Sequence, residues 1–260
     1  MNLALSLPRA NCLDPRPWSE ASAAPYRDAV NIPAPELRRR GAELPPHGET
    51  VKVLACAYAA DAVQVLSGME RPSVVIAGVP GLEPSGPMRL WEPTAWLAEI
   101  LPQLGPGCAL DVACGAGRDT AFLAAHGHNV LGVDCLDDAI ETARELAERY
   151  APGGAAAFLV CDVEDPEFEP PHSVDLVTIF RFLHRPLFER VQTWLKPGGS
   201  LLAETFTTTH RERHGKPRRD RLVLEPGELP KLAVGLEVVR YEEGWRGEAH
   251  TARLWARKAH

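Results

Sequence analysis

The 260-residue sequence predicts an α/β fold in which a doubly wound, mostly parallel sheet ends in an antiparallel hairpin and is preceded by a smaller α/β module. Three observations predict it. From residue 95 onward, short near-continuous apolar runs alternate with helical stripes, the pattern of parallel strands covered on both faces. A glycine-rich turn, Ala113-Cys114-Gly115-Ala116-Gly117, follows the first of those runs. Proline is unevenly spread, with 15 of the 24 in residues 1–106, so the amino-terminal part is built differently.

The junction reads as GVPGLEPSGPMRL, residues 78–90, where three prolines and three glycines sustain neither helix nor central strand. It divides the chain into residues 1–87 and 88–260. Beyond it, Trp96, Leu97, Ile100, Leu101 and Leu104 recur at helical spacing until Gly105-Pro106. Cys108–Val112 is the first strand, and Arg118–Ala125 a helix stopped by Gly127. Asn129–Val133 is the next strand, followed by a helix capped by Asp137 or Asp138 with Ile140, Ala143, Ala147 and Tyr150 on one face. Ala155–Val163, Val174–Phe180 and Ser200–Phe206 read as strands, and Leu187, Val191, Trp194 and Leu195 as one helical stripe. Leu236–Tyr241 and Thr251–Lys258 make the closing hairpin.

Composition narrows the function. Apolar residues make up 45% of the chain, and 28 Lys and Arg stand against 35 Asp and Glu, a net charge of −7 that excludes a uniformly basic nucleic-acid coat. No run approaches a membrane span and MNLALSLPRANC lacks a cationic leader, so a cytoplasmic protein is expected. The six cysteines include no C-x-x-C pair, which points to reduced thiols rather than a disulfide framework or a four-cysteine metal site.

Ligands of doubly wound sheets sit outside the carboxyl ends of the strands, where this chain places three carboxylates. Asp111 lies within the glycine turn, and Gly115 and Gly117 let the backbone approach a ligand closely. Asp134 ends the second strand, placed for vicinal ribose hydroxyls. Asp162 ends the third, placed for an adenine amino group, with Val163 packing on the ring. A dinucleotide fingerprint starting at Gly115 would need glycine at position 120, which is Thr120. An acid in the turn repels phosphates and suits a cationic ligand with an ammonium and a sulfonium, which points to S-adenosylmethionine.

From Arg89 to Lys258 these pieces resemble the class I S-adenosylmethionine-dependent methyltransferases, which have a Rossmann-like fold: LDVACGAGRD for the first motif, GVD ending at Asp134, CDV at 161–163, VDLVTIF at 174–180 and LKPGG at 195–199. Ala113 stands where that family has its first glycine, a departure read as mild because a methyl adds little bulk. The RD after the turn is most similar to the tellurite-resistance and thiopurine type. The resemblance implies methyl transfer from S-adenosylmethionine to a small or anionic acceptor. It also implies an acceptor pocket after the fourth strand, where Arg181 and Arg185 are candidates for acceptor binding and His184 for a general base; His184 reads equally as a capping residue before Pro186. Trp91 reads as a lid or as core.

Residues 211–221 carry six Lys or Arg against two acids within a region, 89–260, that is otherwise acidic. They read as a basic flap over an anionic acceptor, as a contact for RNA, or as a solvated loop. Toward the amino terminus, Leu13-Asp14-Pro15-Arg16, Asp28–Pro33 and Val51–Cys56 resemble a rhodanese domain. Its cysteine loop is degenerate here: Ala59 replaces the glycine and Asp61 the arginine of C-x-x-G-x-R, disfavouring a thiolate at Cys56. The competing expectations are therefore a sulfurtransferase working through Cys56 with thiol methylation, and a non-catalytic adenosyl-ligand sensor that binds RNA.

Overall fold

A computed structural model describes residues 7–81, 87–153 and 155–260; positions 82–86 of the proposed junction lie outside the described residues. The amino-terminal unit comprises β1 (Cys12–Asp14), α1 (Trp18–Ala23), β2 (Ala29–Asn31), β3 (Val51–Leu54), α2 (Ala59–Ser67) and β4 (Ser73–Ile76). Its four strands are all parallel, in the order β2-β1-β3-β4. Leu13, Ile32, Val53, Ala62 and Leu66 form its core, and Met88 and Leu90 from the far end of the junction pack into it.

The second unit begins with α3 (Ala95–Ile100), β5 (Cys108–Val112), α4 (Arg118–Ala125), β6 (Asn129–Asp134), α5 (Asp137–Tyr150) and β7 (Ala156–Val160). It continues with β8 (Val174–Phe180), α6 (Arg185–Trp194), β9 (Leu195–Phe206), α7 (Thr208–His214), α8 (Leu229–Leu232), β10 (Glu237–Arg246) and β11 (Ala249–Arg257). The sheet order is β10-β11-β9-β8-β5-β6-β7, with β5 to β9 parallel and the terminal hairpin antiparallel. The chain enters at β5, runs outward to β7, then returns to β8 on the other side of β5. The order therefore reverses between β5 and β8, and the carboxyl ends there open a crevice.

Apolar periodicity decides which helix covers which face. Trp96, Leu97 and Ile100 of α3, Phe122 of α4 and Leu146 and Tyr150 of α5 share one core. Leu187, Phe188 and Val191 of α6, with Leu229 of α8, make the other. The expectation of full cover on both faces needs correction. The β7 to β8 connection, 161–173, contains no helix, so Leu159 is left 45% exposed on the face opposite α5. Local boundaries shift as well: Leu195 opens β9 instead of ending α6, and Asp137 and Asp138 occupy the first turn of α5 without capping it. Among the described residues no helix is long and apolar enough to cross a membrane.

The two units meet through Glu43, 1% exposed. Its carboxylate accepts two hydrogen bonds of 2.6 Å from Arg40 and one of 2.8 Å from the Tyr150 hydroxyl, and pairs with Arg149 at 3.0 Å. Arg39 reaches Glu145 nearby, and Arg118 Nε donates to the Ala42 carbonyl at 2.7 Å. Removing one partner of a buried charged network strands the others without water. Glu43→Ala is expected to lower the unfolding free energy by about 3–5 kcal/mol, read from urea denaturation.

Candidate functional site

The crevice floor is the turn between β5 and α4. Ala113, Gly115 and Gly117 all have positive φ, at +54°, +53° and +75°. Such a turn brings successive amides to the surface and costs little for glycine, but at Ala113 the Cβ strains the backbone, a conformational cost that the reading of a mild, low-bulk departure left out. The two glycines serve different purposes. A Cβ on Gly117 would lie 2.6 Å from the Ala143 Cβ on α5, so this glycine allows α4 and α5 to pack. A Cβ on Gly115 would meet nothing within 4 Å, so this glycine leaves the crevice open.

Asp134 fastens the turn. Its carboxylate accepts the Gly115 N–H at 2.9 Å and the Leu136 N–H at 3.1 Å, joining the ends of β5 and β6 while its remaining lone pairs stay available. Asp162 is exposed and accepts the Glu164 N–H at 2.9 Å. Val163 beside it is 5% exposed and belongs to the α6-side core, so its side chain supports the crevice wall from within.

Asp111 differs from its sequence expectation. It is 2% exposed, and its two oxygens accept hydrogen bonds from Thr120 Oγ1 at 2.5 Å and Thr178 Oγ1 at 2.8 Å. Burial, with Asp119 close by, pushes its carboxyl up to about 7 against the opposing threonine hydrogen bonds. The charge expected at the turn surface thus lies one layer beneath it. Thr120 has a positive role, since the residue that breaks the dinucleotide pattern is the one that holds Asp111. Asp119 accepts both the Thr94 N–H and its hydroxyl at 2.7 Å, fixing the start of α3. Sequence reasoning missed both threonine clamps, because the partners are far apart in the chain.

After β8, Arg181 is exposed, with φ +55°, and its N–H donates to the Glu204 carbonyl at 2.7 Å. His184 precedes α6, and its buried Nδ1 has no partner. Arg185 is already engaged within the fold. It pairs with Glu228 at 2.5 Å and donates to the carbonyls of Arg221 and Val223, which consumes its guanidinium in bracing the loop before α8. Trp91 is fully buried, edge-on to Tyr150 at 5.4 Å, and is not a lid. In the basic stretch, Arg211 pairs with Asp220, Arg213 with Glu248 and Arg221 with Glu164. Cys56 follows β3 and belongs to the other sheet.

Residues 109–199 match a family model described as a methyltransferase domain. The chain is 30% identical over 140 residues to a probable thiol methyltransferase 2 of Arabidopsis thaliana, spanning 50% of this chain and 60% of that protein. Its fold is that of solved methyltransferases. The N-methyltransferase NodS of Bradyrhizobium japonicum superposes with a TM-score of 0.52 at 19% identity, over 64% of this chain and 94% of NodS. NodS has also been solved with S-adenosyl-l-homocysteine, with a TM-score of 0.52 at 18% identity over 64% of this chain and 85% of that one. TehB of Haemophilus influenzae gives 0.52 at 18% identity over 62% and 61%.

Two outcomes follow from the turn. Ala113→Gly is expected to raise stability by about 1 kcal/mol and Gly117→Ala to lower it by about 2–4 kcal/mol, both read by denaturant unfolding. The raised Asp111 carboxyl means that the folded protein binds a proton which the unfolded chain has lost. Stability should therefore fall as pH rises from about 4 to about 7, and Asp111→Asn should flatten that slope in melting curves taken across this range.

Proposed function

We propose that the protein is an S-adenosylmethionine-dependent methyltransferase, with the crevice between β5, β6 and β8 as its cofactor site. One observation carries this reading: the Asp134 carboxylate accepts the Gly115 amide beside open space, where even an added Cβ at Gly115 would meet nothing within 4 Å. A carboxylate beside bare backbone at the strand-order reversal suits the ribose of a nucleoside with a cationic amino-acid arm. Asp134 would hold the ribose hydroxyls and exposed Asp162 the adenine amino group. Asp111 would act from beneath the turn, its ionisation favoured by an ammonium brought close above it.

When bound, the cofactor supplies an electrophilic methyl group on a sulfonium. The protein's part is to align an acceptor atom in line with the carbon–sulfur bond and to exclude water. Methyl transfer to an acceptor that carries a proton releases that proton, and His184, between β8 and α6, is the candidate to take it. A small-molecule acceptor is favoured. The Arabidopsis relative's name makes a thiol one candidate, and the NodS title makes a nitrogen another. The RD at 118–119 supports the tellurite-resistance and thiopurine type. The amino-terminal unit, with a parallel sheet and Cys56 just past β3, supports the degenerate rhodanese-like reading, and its docked position supports a binding or positioning role over sulfur transfer.

The test is calorimetry with S-adenosylhomocysteine. Wild type should bind, and Asp134→Ala should bind about 10- to 100-fold more weakly through lost charge-assisted hydrogen bonds. Unchanged affinity in a folded Asp134→Ala variant overturns the assignment.

A further inference from the structure

Arg71, Arg118 and Arg181 are three arginines that make no ion pair among the described residues. Arg71 follows α2 in the amino-terminal unit, Arg118 begins α4 immediately after Gly117, and Arg181 directly follows β8. Arg71 and Arg118 converge from opposite units on one short stretch of backbone. Arg71 Nη1 donates to the Pro45 carbonyl at 2.5 Å and Arg118 Nε to the Ala42 carbonyl at 2.7 Å. Arg71 is only 5% exposed, and its buried Nε has no partner.

Among the described residues none of the three makes an ion pair, in contrast to Arg211, Arg213 and Arg221 of the basic stretch. Asp119 is the carboxylate that attracts Arg118 and Arg181, and both its oxygens are committed to Thr94. Burial, then the repulsion of Arg181 and Arg71, push the Arg118 guanidinium down from its usual value, and β5 and β8, the strands that Arg118 and Arg181 follow, pair side by side up to Val112 and Ile179. Burial alone pushes the Arg71 guanidinium down. A guanidinium stays charged under such pressure, which makes the cost permanent until an anion arrives. Arg118 and Arg181 stand on the two sides of the strand-order reversal, so the unmet charge borders the crevice.

We propose that Arg71, Arg118 and Arg181 form an anion site shared between the two units, which holds a carboxylate or oxyanion group of the methyl acceptor. Assigning that anion to the acceptor rests on the methyl-transfer reading of the crevice. The site gives the amino-terminal unit a task that needs no chemistry at Cys56: it supplies Arg71, and its Ala42–Pro45 backbone orients two guanidinium groups. Planar forks in this setting select carboxylates, phosphates and sulfonates over neutral acceptors.

Inorganic sulfate is the probe, titrated into the full chain at constant ionic strength and followed by thermal unfolding. Wild type should gain about 3–5 °C at a tenfold excess over half-saturation. Arg71→Gln and Arg181→Gln should lose that gain, Arg71→Lys should keep part of it, and S-adenosylhomocysteine affinity in Arg71→Gln should stay within about threefold of wild type. A full sulfate response in Arg71→Gln overturns the site, as does no response in a wild type that binds S-adenosylhomocysteine. A drop of more than about tenfold in that affinity for Arg71→Gln, with 5′-methylthioadenosine unaffected, overturns it differently, by giving the anion role to the cofactor's own carboxylate. Failure of wild type to bind S-adenosylhomocysteine at all is a separate readout that sinks the methyl-transfer reading itself.

Discussion

The hydrogen bond from the Gly115 amide to the Asp134 carboxylate is the contact on which the crevice depends. Three positive-φ residues within five positions, one of them an alanine, do not hold a shape unaided. The carboxylate at the end of β6 fixes the turn, and the turn sets where α4 begins. From there the constraint spreads: Arg118 points at the amino-terminal unit, Asp119 secures the start of α3 through Thr94, and Thr120 holds Asp111 under the floor. One short loop thereby sets the positions of four functional or supporting groups.

The acids around this loop are chemically unlike one another because their surroundings differ. Asp111 is walled in by two threonines and favours its proton, Asp134 is bridged by backbone amides, and Asp162 stands in solvent. The arginines show the same divergence. Arg185 is spent on Glu228, whereas Arg71, Arg118 and Arg181 make no ion pair among the described residues. What matters at each position is whether a buried charge has found its opposite, since desolvation outweighs any preference of residue type.

The amino-terminal unit is part of the same electrostatic system. Glu43 draws Arg40, Arg149 and Tyr150 into one buried network at the junction, and the backbone on either side of it, at Ala42 and Pro45, receives Arg118 and Arg71. Chain crossings reinforce the join: Leu7 packs in the core of the second unit, and Met88 and Leu90 in that of the first.

The parallel strands, the closing hairpin and the glycine turn were legible because each rests on near neighbours in the chain. Alternation of apolar runs marks β5, β6, β8 and β9, and Gly115 and Gly117 announce a backbone that side chains would obstruct. Trp91 proved to be core, the second of its two sequence readings, whereas the pairing of Arg185 with Glu228 and the bare face at Leu159 were unforeseen, because burial and pairing are decided by what arrives from elsewhere. The sequence by itself determined the order of elements and the end of the sheet where acids gather. Only the tertiary structure decided which of those acids stays charged, which arginines are left unpaired and which unit supplies them, because ionisation and pairing depend on the distances and solvent exclusion that folding creates.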